Sequence, residues 1–186
     1  MTDKTDKEPC VVCGMADNVD RNYESRPLVT HVDCPRCGPY MYTRLAFQPI
    51  PENRDRMYLL AGAIRSCKER GLACFMVDSH LLQTVEGFNE KVLPLVPKDD
   101  NAKMTLILQY VSRKVASGES VSLDPNLDYP VGFSKGPAEF NLLVTTLVKD
   151  GLLEVVSGHP KIRVILTVAG RQEIQSASRP PIGFGT

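Results

Sequence analysis

Two pairs of cysteines constrain this chain more than anything else in it. Cys10-Val-Val-Cys13-Gly14 is echoed by Cys34-Pro-Arg-Cys37-Gly38, a C-x2-C-x20-C-x2-C pattern. Two residues between thiols let both reach one ion from a tight turn. A glycine after each pair lets the chain turn away from that ion at positive φ. Four soft thiolates in a tetrahedral set favour zinc, with iron as a substitute. The expected cofactor is therefore one Zn2+ per chain, held by Cys10, Cys13, Cys34 and Cys37. Because protein fills all four positions, that zinc is expected to be structural and not catalytic.

The opening residues MTDKTDKEP are polar, and no apolar stretch approaches the ~20 residues a membrane-spanning helix needs. The chain thus reads as cytoplasmic, where thiols stay reduced, so metal ligation is favoured over a disulfide framework. A redox C-x-x-C remains the alternative, weakened by the doubling of the pair. His31 could also be imagined as a ligand, but with four thiols available it reads as a hairpin residue. Cys67 and Cys74 lack ligand spacing and are expected in the core.

Lys plus Arg and Asp plus Glu balance at 22 each. No global field therefore draws the protein toward nucleic acid or an anionic membrane. A hydrophobic fraction of 42% and a charged fraction of 24%, with no Trp, describe a folded chain with an aliphatic core. The expected class is α+β: an N-terminal zinc ribbon, then a mostly helical domain ending in a winged-helix-like unit.

Residues 1–9 read as a disordered leader and 10–47 as the ribbon. Within the ribbon, Arg26–Val32 and Tyr40–Leu45 should form a hairpin whose tip is the second knuckle. The prolines of 48–53 mark a linker. A helical connector region follows over 54–97. Its first helix should run from Arg54 to Arg70, ended by Gly71, and Leu72–Val77 should be extended. A second helix should run from an Asp78 or Ser79 cap to Phe88.

The winged-helix-like domain is expected over 98–177. It should contain a helix from Asp100 or Asn101 to Ala116, ended by Ser117-Gly118, then a loop at Asp124–Pro130. A helix opened by Gly136-Pro137 and ended by Gly151 comes next. A hairpin around Ser157–Pro160 and a last helix capped by Thr167 complete the unit. Between Gly118 and Gly136 the usual middle helix of such a unit is not visible. Residues 178–186 read as a Pro/Gly-rich tail.

Catalytic machinery is not evident. There is no phosphate-binding Gly-rich loop, no G-x-S-x-G elbow and no H-E-x-x-H helix. His31, His80 and His159 lie far apart, and the paired carboxylates sit at helix starts and turns. No catalytic residue and no small-molecule substrate is named. The residues available to a nucleic acid or protein partner are Lys135, Lys149, His159, Lys161 and Arg163 around the wing, with Arg36 and Tyr40 at the metal-pinned tip. From Lys98 onward ten basic and nine acidic residues nearly cancel. A protein partner or a homo-oligomer is therefore expected over duplex DNA.

The stretches CVVCG, VDCPRCGPY, LAGAIR, LDPNLDYP, LVKDGLLE and LTVAG, in this order, resemble the N-terminal half of a group of bacterial proteins associated with anti-phage defence. In that group a zinc-ribbon and winged-helix-like region precedes a TIR-like or nucleoside-deoxyribosyltransferase-like effector domain. The resemblance implies an accessory, sensing or docking role. Only Cys10, Cys13, Cys34 and Cys37 carry over residue by residue. The matching stretches all lie ahead of the effector in that group, so the resemblance is not expected to carry nucleotide-cleaving activity over with them.

Overall fold

A computed structural model describes residues 8–16, 19–23, 29–43, 45–46, 54–115, 119–158 and 161–177. The expected linker at 48–53, the helix stop at Ser117-Gly118, His159 and the tail at 178–186 lie outside the described residues, as does most of the expected leader.

The protein is mixed α+β. Its N-terminal sheet has the order β1-β2-β3-β4. Strands β1 (Asp20–Tyr23), β2 (Val29–Cys34) and β3 (Gly38–Thr43) are antiparallel, and β4 (Phe75–Val77) runs parallel to β3. The β2–β3 register pairs Cys34 with Gly38, which puts the second knuckle at the hairpin tip as expected. Strand β1 had no signature in the sequence. Cys74 is exposed, not core, because the chain enters regular pairing only at Phe75.

Helix α1 (Met57–Glu69) packs on the inner face of this sheet, burying Leu60, Ala61 and Ile64. Gly71 ends it at φ +64°, while the Leu72 and Gly71 amides donate to the Cys67 and Lys68 carbonyls. The single helix expected from Ser79 to Phe88 is instead two, α2 (Ser79–Gln83) and α3 (Val85–Lys91). Thr84 lies between them with extended backbone, and its hydroxyl caps α3 by accepting from the Gly87 amide at 2.9 Å. Asp78 caps α2 in the same way, through the Leu81 amide.

The second half runs α4 (Asp100–Lys114), β5 (Val121–Leu123), α5 (Pro125–Asp128), α6 (Pro137–Lys149), β6 (Leu153–Ser157), β7 (Ile162–Leu166) and α7 (Val168–Ala177). Its antiparallel sheet has the order β5-β7-β6. Helix, strand, two helices and a hairpin, with the first strand against the last, is winged-helix topology. The expected loop at Asp124–Pro130 is instead α5 followed by a 3-10 turn at Tyr129–Gly132. It supplies the middle helix that the sequence did not reveal. Asp124 accepts from the Asn126 amide at 3.0 Å, and Pro125 occupies the first helical position, so Asp-Pro acts here as a helix start.

Two cores result. One joins the metal knuckles to the inner face of the N-terminal sheet and to α1, α2 and α3. The other fills the space between α4, α6 and the second sheet. Phe133, downstream of α5, inserts into the first core instead of the second. Its backbone takes φ +52°, and its ring lies against Gly62, where an added Cβ would come within 2.5 Å of it. Gly62 is therefore small because Phe133 needs the space.

Candidate metal centre and the junction beneath it

The two knuckles converge. One ligand atom from each of Cys10, Cys13, Cys34 and Cys37 lies within 4.8 Å of all the others. Cys13 Sγ and Cys34 Sγ are 3.7 Å apart. Four sulfurs about 2.3 Å from a central zinc in a tetrahedron would be roughly 3.8 Å from one another, so the thiols stand where such an ion would need them. Cys10, Cys34 and Cys37 are buried and Cys13 is half-buried. The cluster fits a single metal site, and its four thiolates suit zinc.

The local backbone explains the convergence. Gly14 (φ +69°) donates its amide to the Cys10 carbonyl at 2.8 Å, and Cys10 donates to the Met15 carbonyl at 2.7 Å. Gly38 turns the second knuckle at φ +99°. The Cys10 thiol is held far below its ordinary range by hydrogen bonding from Cys13 first, then Cys34 and Cys37. Cys10, followed by Cys13 and Cys34, pushes the Cys37 thiol up.

Tyr40 is fully buried, with its hydroxyl 3.1 Å from Cys10 Sγ. Burial, with the Cys10 charge beside it, pushes the phenol up, so the hydroxyl keeps its proton and donates to the sulfur. The expectation that Tyr40 meets a partner at the surface is therefore corrected: its ring is core, and its hydroxyl serves the thiolate. Arg36 is half-buried, and its contacts are within the chain. Its Nη1 donates to the Cys13 carbonyl at 3.1 Å, its Nε donates to the Asn126 carbonyl of α5 at 2.8 Å, and its guanidinium lies 5.2 Å from the Tyr129 ring centroid. The tip faces the winged-helix unit, and of the tip residues only Pro39 is exposed.

Beneath the tip lies a buried charge junction that sequence reasoning missed. Arg65 of α1 is only 5% exposed. Its Nη1 donates to the carbonyls of Pro35 at 3.1 Å and Arg36 at 2.9 Å, both between the ligands Cys34 and Cys37. Nη2 donates to the Tyr110 hydroxyl of α4 at 3.0 Å and to Asp128 Oδ1 at the end of α5 at 3.1 Å, while Nε donates to Glu69 at 2.8 Å. The Tyr110 hydroxyl also donates to Asp128 Oδ1 at 2.6 Å, and Asp128 Oδ2 accepts the Asp124 amide at 2.9 Å. Burial works to lower the Arg65 pKa, but Tyr110, Asp128 and Glu69 outweigh it and hold the cation charged. A charged residue four positions from buried Ala61 was the available signal, since that spacing puts it on the helix face that packs inward.

Two of the expected contact residues, Lys135 and Lys149, stand apart. Lys135 precedes α6 and Lys149 is its last residue, at opposite ends of a 13-residue helix about 20 Å long. Lys135 Nζ lies 5.9 Å from the Tyr58 ring centroid. Lys161 Nζ is 3.9 Å from the Asp124 carboxylate, and Arg163 donates to Ser120 Oγ at 2.6 Å. Glu139 turns back from the outer face of α6 and accepts from Lys103 Nζ of α4 at 2.7 Å. On that outer face Leu142 is 64% exposed, and Val155 and Val156 of β6 are also exposed. These apolar positions were not anticipated.

Among the described residues, no helix is long and apolar enough to cross a membrane. No family model matches the chain, and neither a curated protein nor a solved structure matches it.

Proposed function

We propose that the chain is a non-catalytic interaction or sensing module, in which one structural zinc closes the N-terminal half and the winged-helix unit docks a protein partner or a second copy. The resemblance to the front half of bacterial anti-phage defence proteins supports a defence or regulatory setting. The observation that carries the reading is the outer face of α6. A winged helix that reads duplex DNA presents basic and amide side chains there. This face presents Leu142 at its centre, with Ala138, Asn141 and Thr145 around it.

The zinc would supply folding free energy and no reaction chemistry. Zinc modules gain roughly 10–16 kcal/mol from the metal, enough to hold a segment too short to build a core of its own. Cys10, Cys13, Cys34 and Cys37 would hold it, with Tyr40 orienting Cys10.

A second reading, a DNA-binding regulator, draws on the exposed cations Lys149, Lys161 and Arg163. A DNA titration over a range of salt, run beside light scattering and partner capture with the wild-type chain and Leu142→Glu, separates the two. The docking reading expects self-association or partner binding that Leu142→Glu abolishes, with no DNA affinity at low salt. Salt-dependent DNA binding that weakens in Lys161→Ala and Arg163→Ala would overturn it in favour of the regulator.

A further inference from the structure

The knuckle turn between Cys34 and Cys37 has two jobs in this structure. It carries two of the four thiols, and it supplies the Pro35 and Arg36 carbonyls that accept from buried Arg65. Residues 35–37 form a turn outside any strand or helix, so the conformation that aims those carbonyls depends on the ligands at its two ends. On its other side Arg65 holds Asp128, whose second oxygen fixes the Asp124 amide at the start of α5. Arg36 provides a parallel link, from the Cys13 carbonyl of the first knuckle to the Asn126 carbonyl of α5.

We infer that metal occupancy of the four-cysteine site is transmitted to the winged-helix unit through Arg65 and Arg36, which makes the site a metal-responsive switch as well as a fastening. The inference rests on the reading of the cluster as a zinc site and adds to it. With the metal bound, the turn completes the hydrogen bonding of Arg65, and the cation holds Asp128 and Tyr110 in place. Once the turn loses its metal, a buried guanidinium loses the aim of two acceptors, and that is costly at this depth. The cation must then re-pair, and both links end on the single-turn helix α5, which carries Asp128 and Asn126 and packs against α6. The outer face of α6 moves with it.

Coupling of this kind is reciprocal: whatever zinc does for α5, an intact α5 does for zinc affinity by the same factor. Asp128 is 91 positions from the nearest cysteine ligand in sequence, and its hydrogen bonds are to Arg65, the Tyr110 hydroxyl and the Asp124 amide. Asp128→Asn should nevertheless weaken zinc binding by about tenfold, within the usual range of coupling between sites.

The test measures zinc affinity by competition with a chromophoric chelator in the full chain, for the wild type, Asp128→Asn, Arg36→Gln and Thr167→Val. Thr167 caps α7, so its substitution lowers stability away from the junction. The expected result is about tenfold weaker zinc in Asp128→Asn and Arg36→Gln, with Thr167→Val at the wild-type value. Unchanged affinity in Asp128→Asn overturns the inference, and so does an equal loss in Thr167→Val, which would reduce the effect to global stability. A wild-type chain that binds less than one zinc would instead remove the metal-site reading itself, before any variant is compared.

Discussion

Replacing Arg65 by Met should cost the zinc-loaded protein about 3–5 kcal/mol, the usual penalty for removing one partner of a buried ion pair. Met fills much of the volume of the stem but makes none of the five hydrogen bonds that Arg65 donates to Pro35, Arg36, Tyr110, Asp128 and Glu69. Asp128, 6% exposed, would keep the Tyr110 hydroxyl and the Asp124 amide but lose its counter-charge. Those two surviving donors place the expected cost toward the lower end. Adding Asp128→Asn removes the stranded charge, so the double variant should recover part of the loss, with a coupling of about 1–3 kcal/mol between the sites. Urea unfolding at pH 7 in excess zinc measures all four corners of the cycle, and unchanged m-values keep the comparison two-state. A loss below about 1 kcal/mol for Arg65→Met, or additivity within about 0.5 kcal/mol, would refute the view that a buried charge pair welds the halves together.

Tyr40→Phe deletes only the hydroxyl beside Cys10 Sγ and should weaken zinc about 10–100-fold in a chelator competition while stoichiometry stays at one. Gly62→Ala would place a methyl group 2.5 Å from the Phe133 ring, so thermal unfolding should show a loss of about 1–3 kcal/mol. For Glu139, burial works to raise the pKa, but hydrogen bonds from Lys103 Nζ and the Lys135 amide outweigh it and hold the carboxyl below its usual range. A depressed carboxyl contributes stability that is fully present above its unfolded pKa and is lost as pH falls through the folded one. The stability gap between wild type and Glu139→Gln, followed by urea unfolding across pH, should therefore be widest near neutrality and close below about pH 4.

What could be read in the sequence was what local chemistry dictates. The cysteine spacing located the knuckles, Gly71 and Gly151 ended their helices, and Thr167 capped α7. What could not be read depended on contacts distant in the chain. Strand β1 is defined only by its pairing with β2, and β5, three residues long, only by its pairing with β7. Arg36 and Tyr40 looked like an exposed tip because their neighbours on α5 and at Cys10 are invisible from the hairpin alone. The stretches LAGAIR and LDPNLDYP entered the sequence analysis only as part of a resemblance. In the structure they are partners, since Arg65 meets Asp128, and Gly62 makes room for Phe133 a few residues beyond. The short helix α5 was legible in principle, through Asp-Pro as a cap and first turn, but one turn leaves no periodicity to detect.

Zinc-edge X-ray absorption of the purified chain tests the central claim most directly. The account predicts one zinc per chain in a shell of four sulfurs at about 2.3 Å, and loss of stoichiometric zinc in Cys34→Ser. A shell containing nitrogen or water, or full zinc retention by Cys34→Ser, would contradict it.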